Sequence, residues 1–78
     1  SKATITALRF INTNKLISAN VDGEVFIHNL KNKKTKKLVT TLQNISSLLY
    51  LEENNTLIVG ASLNYIALID LTSEIIIT

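Results

Sequence analysis

The chain has no cysteine, proline, methionine or tryptophan, and only two glycines in 78 residues. Without cysteine there is no disulfide and no thiolate metal site, the usual staples of so small a domain. A single histidine, His28, leaves a His-ligated metal or a Ser-His pair without ordinary partners. Aromatic residues make up 5%, and all of them fall within β-rich runs, so no stacking platform for bases is offered. A formal charge of +2 is too weak a field to imply nucleic acid. No apolar run approaches the roughly eighteen residues of a membrane span. The opening Ser1-Lys2-Ala3-Thr4-Ile5-Thr6 lacks the charged-then-apolar plan of a signal peptide. These absences are compatible with the cytoplasm, which is weakly favoured, and leave the compartment open.

What is present is Ile, Leu and Val. Apolar residues reach 46% against 18% charged, a balance that folds and does not stay disordered. At this length about 60% of the unfolded surface is buried, enough for one small domain. The β-branched and aromatic runs read as eight strands, at 4–11, 15–20, 24–30, 36–42, 45–51, 56–61, 65–71 and 74–78. In the first, Ile5, Ala7 and Arg9 take one face and Thr6, Leu8 and Phe10 the other. Asp22-Gly23 between the second and third is a strong hairpin signal, read as a two-residue turn with Gly23 at positive φ. Asn12-Thr13-Asn14 and the Asn-rich stretch 52–55 are polar turns. A helix over 46–53 competes with the fifth strand, but Glu52-Glu53 would oppose the dipole at its C-terminus.

The plan is written twice. Ile45-Ser46-Ser47-Leu48-Leu49-Tyr50-Leu51 matches residues 5–11 at an offset of forty. One extra residue in the following turn makes the offset forty-one, and then Leu57-Ile58 falls on Leu16-Ile17, Ile66 on Val25, Leu68 on Ile27 and Asp70 on Asn29. Several strands are continuous apolar runs, notably Val25-Phe26-Ile27 and Tyr65-Ile66-Ala67-Leu68-Ile69. Such runs belong to strands buried on both faces.

A period near forty with four strands per unit is the pattern of a propeller blade. Residues 16–30, with a small-residue stretch, Asp-Gly and an apolar strand, resemble a blade of the WD-repeat β-propeller family, and residues 57–71 follow the same plan. His28-Asn29 and Ile69-Asp70 stand where that family has Trp-Asp, Asn64 stands for Gly in the second turn, and Gln43-Asn44 replaces the expected Gly-His. Of the family's hydrogen-bonded His, Ser/Thr, Asp and Trp set, only Ser18 and Asp22 have counterparts here. The expected fold is all-β: two four-stranded antiparallel blades of a WD-repeat-like propeller, 1–43 and 44–78, as a fragment of a larger ring. With no start residue and an abrupt end at Thr78, the expectation is a piece of a longer propeller, or else copies that self-associate.

The resemblance implies a non-catalytic protein-interaction scaffold, with no cofactor and a protein partner of unknown identity. Asp22, Gly23 and Asn64 are the structural turn residues. Partner contacts are expected at Asn20, Asp22, Gln43, Asn44, Ser62 and Asn64, on the loops of one end. The alternative is a basic patch formed by Lys31, Lys33, Lys34, Lys36 and Lys37 that meets an acidic protein or nucleic acid. The plainer account of those lysines is a solvated loop that discourages edge aggregation. A third possibility is part of a propeller enzyme completed by missing blades, though the six carboxylates form no evident catalytic pair. Ser18 with Asp22 reads as a turn-stabilising pair and His28 as a packing residue.

Overall fold

Both copies of the repeat fold as a four-stranded meander. The computed structural model describes residues 3–62 and 65–77. The strands are β1 (Ile5–Asn12), β2 (Lys15–Asn20), β3 (Glu24–Asn29) and β4 (Lys34–Val39), then β5 (Ile45–Leu51), β6 (Thr56–Ala61), β7 (Ile66–Asp70) and β8 (Ile75–Ile76). Every neighbouring pair is antiparallel, and the spatial order is β1-β2-β3-β4 in one sheet and β5-β6-β7-β8 in the other. The fifth strand is a strand, and a one-turn 3-10 helix, Glu52–Asn54, carries the chain from β5 to β6. Asn64 lies outside the described residues.

The two sheets stack face to face and share one core. The buried row Ala19 and Val25, with the half-buried Ala7 and Leu38 beside it, comes from the first sheet. Ile17 and Ile27 form the adjoining row. The second sheet answers with Leu48, Val59 and Ala67, and with Tyr50, Leu57, Ile69 and Ile76. Ile45 closes the end of this core and is fully buried. The outer face of each sheet is bare. Leu8, Phe10, Leu16 and Phe26 lie on one, Leu49, Ile58, Ile66 and Leu68 on the other. Several of these are among the most exposed apolar side chains, so within this chain each apolar run buries one face and leaves the other, also apolar, open.

The structure corrects the sequence reading at five places. A register shift between Ile5 and Ala7 moves Ile5 off the face of Ala7 and onto that of Leu8. The β2–β3 turn has three residues, Val21-Asp22-Gly23, closed by Gly23 N–H donating to the Asn20 carbonyl at 3.3 Å. Gly23 takes φ 83° as expected, in the left-handed position that such a three-residue loop requires. β4 starts at Lys34 because Lys33 adopts φ 61° and closes the turn early. It ends at Val39 because Gly23, opposite Thr40, turns its N–H into the loop to the Asn20 carbonyl and returns no bond to Thr40 beyond its own carbonyl. β8 starts at Ile75, since Glu74 repeats the left-handed turn of Lys33, and runs to Ile76; Thr78 lies outside the described residues. Ser18 pairs with His28 and not with Asp22.

The repeat is visible in individual bonds. Leu30 N–H donates to the Asn14 carbonyl at 2.7 Å, and Leu71 N–H to that of Asn55 at 3.0 Å. Asn29 Oδ1 accepts from Lys31 N–H, and Asp70 Oδ1 from Thr72 N–H, each at 3.0 Å. Both pairs are forty-one residues apart.

Candidate functional site

The Asp-Gly loop is a junction for three chain segments. Asn20, 1% exposed, uses its side-chain oxygen to accept from the N–H groups of Asp22 (3.0 Å) and Glu24 (3.1 Å), and its amide donates to Glu24 Oε1 at 2.8 Å. A short polar side chain that reaches its own backbone two and four residues on is what makes Asn a turn residue. Val21 N–H donates to the Thr4 carbonyl and Asn44 N–H to the Val21 carbonyl. The Gly23 carbonyl accepts from both the N–H (2.9 Å) and the hydroxyl (2.8 Å) of Thr40, whose Oγ1 accepts in turn from Leu42 N–H. A β-carbon at Gly23 would overlap the Leu42 carbonyl oxygen and sit 3.0 Å from Thr40 Oγ1. Glycine is therefore required twice over, by its backbone angle and by the chain folded against it.

That fastening shapes the loop end. Gln43, Asn44 and Ser62 line a cleft of about 410 Å³ together with Thr41, Leu42 and Tyr65. Asn44 takes φ 55°, one of four non-glycine residues with left-handed backbone among those described. Asp22 is exposed beside this end. Asn20 is not: its side chain is spent inside the turn, so it builds the loop and presents nothing to a partner. Thus Gln43, Asn44 and Ser62 converge, Asp22 flanks them, and Asn64 lies outside the described residues.

The basic residues do not form one patch. Lys36 pairs with Glu74 across the two sheets, and Lys37 lies 3.4 Å from Glu24 Oε2 on the opposite side of β4. Alternation along the strand separates them. Lys31 and Lys33 lie in the β3–β4 loop and Lys34 at the start of β4, where Asn29 and Asn32 cap the backbone.

A larger groove, about 720 Å³, runs over the bare face of the first sheet and is lined by Leu8, Leu16, Phe26 and Leu30 among others. Within it Ser18 Oγ pairs with His28 Nε2 at 2.8 Å, and His28 Nδ1 with Thr35 Oγ1 at 3.2 Å. Phe26 stacks on the His28 ring at 6.1 Å between centroids. Both ring nitrogens of His28 thus meet a hydroxyl within the sheet. Sequence reasoning missed this Ser-His-Thr line. Its signal was the strand register, which sets positions 18, 28 and 35 side by side. Among the described residues no three His, Cys, Asp or Glu side chains are placed to hold a metal ion. No helix among them is long and apolar enough to cross a membrane. No family model, curated protein or solved structure matches this chain.

Proposed function

We propose that this chain is a non-catalytic protein-interaction scaffold built as two consecutive blades of a WD-repeat-like β-propeller, with its partner contacts on the loop end at Gln43, Asn44 and Ser62. The observation that carries the reading is the convergence of those three residues on one cleft anchored by the Asp-Gly junction. Loops fixed by a rigid sheet scaffold are where binding residues concentrate. Two further features support the blade comparison. Ser18, on the second strand, bonds to His28, which stands at the position of the family's Trp. The Asx turns at Asn29 and Asp70 end the third strand identically in both copies. The basic-loop alternative is weakened because two of its five lysines are ion-paired within the chain.

The test places a photo-crosslinking residue at Gln43 in one variant and at Lys34 in another, and compares what each captures from extract. Capture of a defined protein at position 43, unaffected by salt and absent at 34, is the expected result. Capture confined to position 34 and lost as salt rises would replace the scaffold reading with the basic-loop one.

A further inference from the structure

We infer that the two bare faces are the two halves of one interface, and that a second copy of this chain covers each, stacking head to tail. The repeat itself carries this. Leu8, Ser18 and Phe26 on the bare face of the first sheet stand where Leu48, Val59 and Ala67 stand on the buried face of the second. Conversely, Ser47, Gly60 and Ile66 on the bare face of the second sheet stand where Ala7, Ala19 and Val25 stand on the buried face of the first. Each sheet thus has a forward face and a backward face. One forward face and one backward face meet inside the chain, and one of each is left over. A contact between unlike faces does not satisfy itself, so it propagates until it closes into a ring or runs on as a stack. A second copy supplies both missing faces in the arrangement the chain already uses between its own sheets.

The chemistry of the faces agrees. Ser18, His28 and Thr35 are paired with one another, which lowers the cost of covering them with a sheet. The opposing face carries Ser47, Leu49, Ile58, Gly60, Ile66 and Leu68, with Asp70 as its one charge at the end of β7, which suits an apolar sheet and not an acidic peptide or a nucleic acid. The inference rests on the repeat and its bare faces, and it stands whether or not the loop-end cleft takes a partner.

Leu8→Glu and Ile66→Glu test it, one on each bare face, at side chains each 62% exposed. Sedimentation velocity of the parent chain at tens of micromolar should show species well above the 8.6 kDa monomer. Each variant alone should run as a monomer with an unchanged strand spectrum in circular dichroism. Mixed in equal amounts they should form a one-to-one dimer, joined through the intact second sheet of L8E and the intact first sheet of I66E. If either variant loses its strand spectrum, Phe10→Glu and Leu49→Glu occupy the same two faces. A monomeric parent, a single variant that still pairs with itself, or a mixture that stays monomeric would overturn the head-to-tail assignment.

Discussion

At the scale of the residue, Gly23 and Asn20 fasten three chain segments at one turn. Replacing Gly23 by Val imposes a left-handed β-branched residue and drives a side chain into the Leu42 carbonyl. Backbone strain and overpacking at about 1–3 kcal/mol each give an expected loss of about 3 kcal/mol in urea denaturation. A midpoint indistinguishable from the parent would show that Thr40 and Leu42 do not fold against this turn. The pair Ser18 and His28 allows a finer comparison, because the second copy has Val59 and Ile69 at those positions. Ser18→Val alone strips His28 of a partner and should cost about 1 kcal/mol, whereas Ser18→Val with His28→Ile should be close to neutral. A double-mutant cycle returning no coupling would remove the hydrogen bond from the account.

At the scale of the element, the two β-meanders were legible and their joints were not. Strand runs, the Asp-Gly hairpin and the forty-residue offset all followed from composition and alternation, because a β-branched run has few other folds available. The starts of β4 and β8 did not. They depend on Lys33 and Glu74 adopting left-handed backbone, which nothing about Lys or Glu announces. The swing of Ile5 to the other face follows from a bulge, a property of the pair β1–β2 and not of either strand. The Ser18-His28-Thr35 line needed the register before it could be seen. Asn20, expected at a partner contact, instead closes its own turn with its side chain, since a buried Asx cap and an exposed loop asparagine have the same sequence context. The tight β3–β4 and β7–β8 turns supply their own test. Lys33→Asn and Glu74→Asn put a residue that tolerates this backbone in place of ones that do not, and each should gain about 0.5–1 kcal/mol. Thermal melts showing a loss for both would contradict the turn geometry. Breaking the exposed Lys36–Glu74 pair with Lys36→Gln should change stability by less than about 1 kcal/mol, as for other solvated ion pairs.

At the scale of the whole molecule, the fold is a pair of sheets 17 Å through at its thinnest, with one covered interface and two uncovered faces. Covering about 600 Å² of apolar surface is worth roughly 15 kcal/mol at about 25 cal/mol per Å², before the costs of association. Repeat units draw much of their stability from such neighbours, so the free energy of this chain is tied to whatever lies against its outer faces. The scaffold reading sits on top of that architecture: the sheets fix the loop end, and Gln43, Asn44 and Ser62 are presented by it. The central claim is that unlike faces of two like sheets pack together, and methyl-to-methyl nuclear Overhauser contacts test it most directly. The account predicts contacts joining Ile17, Ala19 and Val25 of the first sheet to Leu48, Val59 and Ile69 of the second within one chain. Contacts within one chain joining Leu8 or Leu16 to Leu48 or Val59 would mean that equivalent faces meet instead, and would contradict it.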